Sequence, residues 1–490
     1  MRTVAFHNLG CKVNAYEIDI IQQKFTENGF RVVPFSQKAD VYVINTCTVT
    51  SIADRKSRQM LHRAKEKNPD AIVIATGCYV QTDTERVLAD SAVDIAVGNN
   101  LKGEILEILK EFEAQREAAS QSTDTAVCVK KDLRDTEKPD GTAGGESEPD
   151  SVVESDRNAD THRAFNKIID INKPCPYEDM MLTETADRTR AYIKIQDGCN
   201  QFCSYCLIPY ARGRVRSRDM EDILEEIRAI TKKGYEEIVL TGIHVSSYGI
   251  TSPNDLSQNR LGELLTKIQE IDSVKRIRLS SLEPRVVTEE FAKTIGGLSK
   301  LCPHFHLSLQ SGCDATLKRM NRHYTAAEFK EGVARLRKAF KDPAITTDVI
   351  VGFPGETDED FEESYRFCED IGFYEMHIFK YSKRKGTVAA TLPDQVSDAK
   401  KDERSDKMIA LRDRLSVEYR KRHIGTGAEV LFEEEKTIDG KKYLVGHTKE
   451  YILTALPSPD QTRVSPGSAK LLRKDSSPRK YLNAAFFRLI

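Results

Sequence analysis

The sequence predicts an α/β chain with an N-terminal doubly wound parallel sheet, a central partial (β/α) barrel and a small C-terminal β-barrel. Short β-branched runs alternate with helical periodicity over residues 1–110 and again over 186–418, which is typical of parallel sheets with crossover helices. In the second region each strand ends in polar or glycine-rich residues, and this favours a barrel over an open sheet. Beyond residue 419 the strands are short and closely spaced, as in small antiparallel barrels.

Composition narrows the class of protein. The chain has 490 residues, 39 % hydrophobic and 31 % charged, with a net charge of −2, so overall charge indicates nothing about a nucleic-acid partner. The N-terminus carries no signal pattern and no segment is apolar enough to span a membrane, so we expect no membrane association. The eleven cysteines are odd in number and scattered, which argues against a disulfide framework and for the reducing cytoplasm.

The first region reads as a β-α-β alternation. Residues 3–6, 41–44 and 72–75 form β-branched strands, and residues 16–28 and 51–67 have helical character, the second helix stopping at Asn68-Pro69. This order predicts a Rossmann-like parallel sheet over residues 1–110.

A cysteine follows each of these three strands. Cys11, Cys47 and Cys78 lie a few residues beyond the strand ends, and parallel strands bring those ends to one edge of the sheet. Three converging thiolates suggest an iron–sulfur cluster with one open iron. A structural zinc is the alternative, although it would lack a fourth ligand.

Residues 111–185 change in character. Between 112 and 163 there are 13 acidic residues against 7 basic ones, among many Ala, Ser, Thr and Gly residues. Such a segment has too little apolar surface to offset its ordering entropy. We expect an acidic linker or insertion that is disordered in part.

The next segment carries the motif around which the rest of the chain is organised. Cys199, Cys203 and Cys206 are spaced C-x₃-C-x₂-C directly after a strand and an Asp-Gly turn. Three thiolates can hold three irons of a cubane cluster and leave the fourth open, whereas electron-transfer cubanes use four cysteines. Zinc, or purely structural cysteines, is the alternative.

The barrel over residues 186–418 is predicted from six strands with helices between them. His304 and His306, on one of these strands, could ligate a metal, but we interpret them as sheet residues with satisfied nitrogens. The predicted strands cover residues 192–196, 238–242, 276–280, 304–309, 347–351 and 376–379.

The C-terminal region, residues 419–490, follows a long charged helix predicted over residues 397–420. Strands are predicted at 429–432, 443–445 and 451–454, and residues 420–490 hold 14 Lys and Arg against 8 Asp and Glu. Small β-barrels with a basic face commonly bind RNA. An ordinary solvated surface is the alternative.

The cluster motif, its preceding strand and the following Ile208-Pro-Tyr-Ala-Arg-Gly213 resemble the radical S-adenosylmethionine (SAM) superfamily. The resemblance implies that the open iron binds SAM, from which the reduced cluster generates a 5′-deoxyadenosyl radical. It also implies that the strand ends of the barrel meet SAM. These residues are Thr241, Gly242, Ser280, Ser281, Glu283, Gln310, Gly352 and Gly355.

Both cysteine triads, the two α/β regions and the basic C-terminal unit together resemble the methylthiotransferases, and the C-terminal unit resembles their RNA-binding TRAM domain. Gly10-Cys-Lys-Val-Asn14 and the run from Asn45 to Gln59 are similar to the branch that acts on N6-threonylcarbamoyladenosine (t6A) at position 37 of tRNA. That branch converts t6A to its 2-methylthio derivative. The alternatives within the family are enzymes for isopentenyladenosine tRNA and for a ribosomal protein.

The resemblance implies two [4Fe–4S] clusters, SAM, tRNA and an external electron donor of the flavodoxin or ferredoxin type. The Cys11/Cys47/Cys78 cluster would hold the sulfur that becomes the methylthio group. An adenine C2–H is not acidic enough for a side-chain base, so a carbon radical is needed to remove it. A two-cluster electron carrier and an RNA-binding iron sensor are the alternatives from other classes.

Basic residues near both cysteine motifs and a later strand are candidates for substrate contacts. Arg212, Arg214, Arg216 and Arg218 alternate, so an extended run would place them on one face towards phosphate. Tyr381 could stack on a base beside Lys383, and at least one basic residue near Cys11 or Cys47 is expected to read the t6A carboxylate. The candidates are Lys12, Arg55, Lys56, Arg58, Arg212, Arg214, Tyr381 and Lys383.

Overall fold

A computed structural model shows how the strands are arranged. It describes residues 1–131, 163–178, 180–184, 189–250, 255, 258–457 and 469–473. None of the helices within those ranges combines the length and apolar character that crossing a membrane requires.

The N-terminal region forms a six-stranded sheet in which every pairing is parallel. The predicted strands are its centre, and the two over residues 41–46 and 72–77 are buried along their whole length between helices on both faces. The strands, in spatial order, are β2 (Arg31–Val32), β1 (Thr3–Asn8), β3 (Val41–Thr46), β4 (Ile72–Gly77), β5 (Ile95–Val97) and β6 (Phe165–Lys167).

The helices of this region begin close to the cysteines. Cys11 is the N-cap of the first helix and Cys78 is the first residue of the third. The side chain of Thr50 caps the second helix by accepting from the Ala53 amide at 3.1 Å. The helices are α1 (Lys12–Glu27), α2 (Ser51–Lys67), α3 (Cys78–Thr82), α4 (Thr84–Leu88) and α5 (Ile105–Lys131).

The predicted insertion is partly structured. Helix α5 extends to Lys131, and β6 adds a sixth strand to the sheet by pairing with β5. Both lie within the span 111–185 that composition assigned to a linker, while residues 132–162 lie outside the described residues.

The central region has the six predicted parallel strands and bends into a partial barrel. Two sheets, β10-β9-β7-β8 and β11-β12-β13, are joined by single bridges such as Leu282 to Leu307. The strands are β7 (Arg190–Asp197), the short antiparallel β8 (Arg216–Ser217), β9 (Glu237–Gly242), β10 (Arg276–Leu279), β11 (His304–His306), β12 (Ala344–Val351) and β13 (Glu375–Lys380).

Helices cover the outside of the barrel and bury a continuous apolar core against it. Helices α11 and α12 both start with a capping box, which satisfies their first amides. The helices are α6 (Ile208–Arg212), α7 (Met220–Lys232), α8 (Leu261–Gln269), α9 (Glu289–Gly296), α10 (Asp314–Arg319), α11 (Ala326–Ala339) and α12 (Asp358–Ile371).

The C-terminal region is a small antiparallel sheet that follows the long helix α13 (Asp398–Arg422). Its order is β16-β15-β14-β17, with β14 (Gly427–Ile438), β15 (Lys441–Thr448), β16 (Leu453–Pro457) and β17 (Ala469–Arg473). The turn between β15 and β16 docks under the barrel, where the Arg276 guanidinium donates to the Thr448 carbonyl at 2.8 Å. The sheet therefore closes the end of the barrel opposite the strand ends that carry the candidate site.

Candidate functional site

Cys11, Cys47 and Cys78 converge at one edge of the first sheet, as the strand order requires. Strands β3 and β4 pair in register, Thr46 opposite Gly77, so Cys47 and Cys78 are neighbours. The loop that carries Cys11 is tied to the same edge, because the Leu9 amide donates to the Asn45 carbonyl at 3.0 Å. Cys47 and Cys78 are buried and Cys11 is exposed.

Two local features fix this edge. The Asn14 amide group, one helical turn after Cys11, donates to the Thr46 carbonyl at 3.0 Å and to Asn45 Oδ1 at 3.2 Å. Gly77 has φ +102°, and a Cβ there would lie 2.4 Å from the Thr46 carbonyl oxygen. A side chain at position 77 would therefore push β3 and β4 apart beside the thiols.

The thiols of this triad affect one another electrostatically. Burial raises the pKa of Cys47 to about 11, and the neighbouring Cys78 and Cys11 raise it further against backbone hydrogen bonds. Without a metal this thiol is protonated at neutral pH. Because metal ligands must be thiolates, cluster assembly would release protons here.

The second triad lies in the loop that follows β7. Gly198 has φ +73°, and a Cβ there would lie 1.9 Å from the Arg214 carbonyl oxygen, so the strand can turn into Cys199 only with glycine. The loop is then held from the barrel, where the Ser204 amide donates to the Met320 carbonyl at 3.0 Å and the Asn321 side chain donates to the Phe202 carbonyl at 2.9 Å.

Burial and a neighbouring thiolate also act on this triad. Burial raises the pKa of Cys199 to about 12, with Cys203 adding to the shift. The Arg322 guanidinium lies 3.1 Å from Cys203 Sγ. Three thiols that share a pocket with one cationic donor fit the donor set of a cubane with an open iron.

A buried charge network, which sequence reasoning missed, joins the two triads. Glu17 on α1 pairs with Lys194 of β7 at 2.9 Å and with Arg212 at 2.5 Å, and Lys194 pairs with Asp197 at 2.6 Å. Lys102 also pairs with Glu17. The periodicity of α1 gave no signal for this network because Glu17 faces the barrel, a partner that is distant in sequence.

Arg212 connects this network to the first triad. Its Nε lies 3.4 Å from Cys78 Sγ, and its terminal nitrogen donates to Asn14 Oδ1 at 2.6 Å. The prediction that Arg212 faces phosphate is wrong, because its side chain is fully buried. Arg212 ends the short helix α6, and of the residues that follow only Arg216–Ser217 form a strand, so the four arginines do not share one exposed face. Arg218 is likewise buried, paired with Glu226, while Arg214 is exposed.

The prediction that Tyr381 could stack on a base is also wrong. Its ring packs 5.3 Å from that of Phe353, beside Met320 and Ala389, and it is 5 % exposed. A base cannot stack on a ring that is almost fully buried. The neighbouring Lys383 is exposed and lines a groove of about 690 Å³ with Lys385 and Val388.

The other basic candidates lie in two places. Arg55 and Arg58 line a groove of about 600 Å³ on the outside of α2, together with His62 and Arg86, and Lys56 is exposed on the same helix. Lys12, by contrast, follows Cys11 directly at the start of α1.

The strand-end residues expected to meet SAM line the top of the barrel. Thr241 and Ser280 are buried and Ser281 is exposed, and Gly242 packs against Gln196, whose Oε1 accepts from the His244 amide at 2.7 Å. Ser280 Oγ has no hydrogen-bond partner within the described residues. An unpartnered buried hydroxyl at this edge is available to a ligand.

Glu283 is buried beside His244, whose Nε2 lies 3.0 Å from its carboxylate. Burial alone would raise its pKa, but hydrogen bonds from His244 and from Arg285 outweigh burial and lower it to about 2. Glu283 is therefore an ionised acceptor at neutral pH, suited to hydroxyl or ammonium groups.

Gln310 and the glycines complete the set. Gln310 has φ +69° although it is not glycine, and its backbone bonds to both Asp348 and Ile350 of β12. Strain of this kind is concentrated at functional sites. Gly352 donates its amide to Glu356 at 3.0 Å, and Gly355 lies in the same turn.

Comparisons with known proteins agree with this arrangement. Residues 193–368 match the Radical SAM superfamily, and residues 3–98 match uncharacterized protein family UPF0004. The threonylcarbamoyladenosine tRNA methylthiotransferase MtaB of Bacillus subtilis is 39 % identical over 92 % of this chain and 90 % of its own length. The chain belongs to the radical SAM methylthiotransferase family.

Other members of the family support this placement. MtaB of Aquifex aeolicus is 38 % identical over 90 % of this chain and 95 % of its own length. The tRNA-2-methylthio-N(6)-dimethylallyladenosine synthase of Methylacidiphilum infernorum is 30 % identical over 94 % of this chain and 91 % of its own length. The family uses SAM and [4Fe–4S] clusters as cofactors.

A solved structure shares the fold. The radical SAM methyltransferase TsrM of Kitasatospora setae, with cobalamin and a [4Fe–4S] cluster bound, superposes with a TM-score of 0.51 at 15 % identity. It covers 79 % of this chain and 74 % of the TsrM chain. Identity at this level supports the architecture alone.

Proposed function

We propose that this protein is a tRNA methylthiotransferase that converts t6A at position 37 to its 2-methylthio derivative. The observation that carries the proposal is the near full-length similarity to methylthiotransferases named for threonylcarbamoyladenosine, at 39 % and 38 % identity. The isopentenyladenosine branch is the second candidate. Relatives named for dimethylallyladenosine include four at 29–33 % identity, and two further relatives named for threonylcarbamoyladenosine are 34 % and 32 % identical.

Each thiol triad has a separate role in this proposal. Cys199, Cys203 and Cys206 hold the cluster that binds SAM, and Cys11, Cys47 and Cys78 hold the cluster that carries the sulfur. Three thiols at each site leave one iron open. When bound and reduced, the first cluster and SAM supply the carbon radical that removes the C2 hydrogen.

The protein side chains position and shield these groups. Arg212 and Arg322 each place a guanidinium near one thiolate, at 3.4 Å from Cys78 and 3.1 Å from Cys203, where hydrogen bonds and positive charge tune a cluster. The ion pairs from Glu17 to Lys194 and Arg212 fix one triad relative to the other. For SAM itself, we propose contacts from Thr241, Gly242, Ser280, Ser281, Glu283, Gln310, Gly352 and Gly355.

Substrate and partners follow from the same family placement. Lys12, Arg55, Lys56, Arg58, Arg214 and Lys383 remain candidates for tRNA contacts, and the C-terminal sheet is proposed as a TRAM-like RNA-binding unit. An external flavodoxin- or ferredoxin-type protein would supply the electron. We infer a cytoplasmic location, where tRNA and reduced thiols are both present.

The test uses the reconstituted protein under reducing, anaerobic conditions with SAM and tRNA bearing t6A. Mass spectrometry of the digested nucleosides should show conversion to the methylthio derivative. A matched tRNA bearing isopentenyladenosine should react poorly. Conversion of the second tRNA alone would overturn the t6A proposal in favour of the other branch, and conversion of neither would overturn both.

A further inference from the structure

A group of three titratable side chains inside the barrel is not used by the site described above. His306, Asp348 and His377 come from the adjacent strands β11, β12 and β13, and their ligand atoms all lie within 4.8 Å of one another. His306 Nε2 lies 3.4 Å from the Asp348 carboxylate, and the two imidazole rings stack with centroids 6.0 Å apart.

Strand register accounts for this convergence. Asp348 pairs directly with His377, and His306 pairs with Thr346, two residues before Asp348 on the same face of β12. The alternate residues Ile345 and Val349 point outward into the core beneath the helices. The three side chains therefore face the barrel interior, where His306 and Asp348 are half-buried and His377 is exposed.

His306 is oriented for a ligand. Its Nδ1 shares a hydrogen bond with the Thr346 hydroxyl at 3.0 Å, which leaves Nε2 directed at Asp348. The group accordingly offers a carboxylate acceptor and imidazole nitrogens to a polar molecule.

The charges around this group favour an anion over a metal cation. Lower in the barrel, Arg190, Arg276 and Arg278 all pair with Glu237, and Arg190 also pairs with Glu433. Three guanidinium groups thus face two carboxylates. The Arg278 guanidinium lies 4.7 Å from the centre of the Tyr451 ring, and the His304 ring, two residues before His306, packs on the same ring at 5.1 Å. A cation bound at the cluster of His306, Asp348 and His377 would face this positive charge.

Lys12 adds a further positive charge. Its side chain is exposed and has no ion pair within the described part of the chain. Helix α1 packs against strands β7 and β9 of the barrel. Burial, and then nearby charges that include Lys12, lower the pKa values of His304 and His377, which places Lys12 near both imidazoles. Lys12, the first residue of α1, therefore stands where the first domain meets the barrel, and a bound carboxylate would give its ammonium group a partner.

We propose that Lys12, His306, Asp348 and His377 form the pocket that binds the N6-substituent of the target adenosine. Lys12 pairs with the threonyl carboxylate, and Asp348 and the two histidines hydrogen-bond to its hydroxyl and carbamoyl groups. This inference rests on the proposed function and deepens it. It places the selectivity for t6A at the junction of the first domain and the barrel, next to the Cys11 triad.

The test measures binding to two anticodon stem-loop RNAs that differ only at position 37, one with t6A and one with unmodified adenosine. Wild type should prefer t6A. Both K12Q and H377L should reduce that preference by about tenfold or more, since a hydrogen bond to a charged group is lost, while affinity for the unmodified RNA stays the same. The control is K38Q, because Lys38 is an exposed lysine at the opposite edge of the first sheet. This variant should behave as wild type.

Iron content and SAM cleavage without RNA should stay at wild-type levels in both variants, because neither change removes a cluster ligand. His377 lies on a different domain from the Cys11 triad, so H377L remains informative if K12Q loses iron.

If wild type binds both RNAs equally, the proposed function itself fails. If wild type prefers t6A and both variants keep that preference, the function stands and this pocket is wrong. Stoichiometric binding of Zn²⁺ or Mn²⁺ to the cluster-loaded protein that D348N abolishes would also overturn it, in favour of a metal site.

Discussion

Arg212 is a single side chain that contacts both halves of the candidate active site. It bridges Glu17 of the first domain, Asp197 of the barrel and the sulfur of Cys78. A charge buried at this depth is tolerated only when partners surround it. Its removal therefore affects both the stability of the domain junction and the environment of the thiols.

We predict that Arg212→Gln destabilises the apoprotein by about 3 kcal/mol, because Glu17 and Asp197 lose a shared buried partner. Unfolding in urea, followed by circular dichroism, measures the change. The matched control is Arg214→Gln, two residues away, where the guanidinium is exposed over the ring of Phe202 at 4.5 Å. Equal stability of the two variants would show that the buried network contributes nothing to the fold.

At the residue scale, the sequence predicted the sites that depend on local spacing. It missed those that depend on which distant segment of the chain packs against a residue. The six cysteines follow strand ends, and that placement is readable from β-branched runs followed by Gly-Cys or Thr-Cys. Whether Arg212 and Tyr381 are buried depends on which distant segment covers them. Alternation indicated an exposed arginine face, but Arg212 ends the helix α6 and is buried, and Arg218 is buried in its pair with Glu226.

At the scale of the secondary-structure element, strand ends position the two loops that carry the thiols. Replacing Cys199, Cys203 and Cys206 together by Ala should lower the iron content of the reconstituted protein from about eight to about four atoms per chain. Reductive cleavage of SAM to 5′-deoxyadenosine should be lost as well. Iron analysis and chromatography measure the two effects, and a triple variant that kept full iron would refute this ligand assignment.

The complementary replacement separates the roles of the loops. Ala at positions 11, 47 and 78 should also halve the iron, yet it should spare SAM cleavage while abolishing the methylthio product. The reason is that these thiols lie on a different sheet from the strand ends that we propose bind SAM. Loss of SAM cleavage in a variant that retained its four remaining irons would contradict this division.

Strand existence and order were predictable because buried parallel strands read as continuous β-branched runs. All six parallel barrel strands were predicted and are present. The short strands β2, β5, β6 and β8 were not predicted, since two or three residues carry too little pattern. Composition alone also misassigned residues 111–131, where α5 continues despite many small and polar residues.

At the scale of the whole molecule, buried ionic clusters join the three regions. Glu17 links the first sheet to the barrel, and Glu237 holds Arg190, Arg276 and Arg278 where the C-terminal sheet docks. Two of these arginines, Arg276 and Arg278, also donate to carbonyls at residues 447–449, at the end of β15 and the start of the turn that follows. Glu237 therefore governs how the C-terminal sheet sits on the barrel.

This arrangement predicts a specific pH dependence of stability. Burial would raise the pKa of Glu237, but the charges of Arg278, Arg276 and Arg190 outweigh it and lower the pKa from 4.5 to about 2. The folded state thus stabilises the ionised form of Glu237 more than the unfolded state does. Its contribution, about 3 kcal/mol at most, is fully present above pH ~4.5 and is lost as the pH falls towards 2.

We therefore expect wild type and Glu237→Gln to differ in unfolding free energy most at pH 6 to 7, and to converge as the pH falls below about 4. Urea titrations across this range measure the difference, and hydrogen exchange at β14 to β16 reports whether the C-terminal sheet loosens first. Glu263→Gln, which removes an exposed ion pair with Arg260, should follow the wild-type pH profile. A difference between wild type and Glu237→Gln that stayed constant from pH 7 to pH 3 would mean that the ionised carboxylate of Glu237 does not hold the sheet to the barrel.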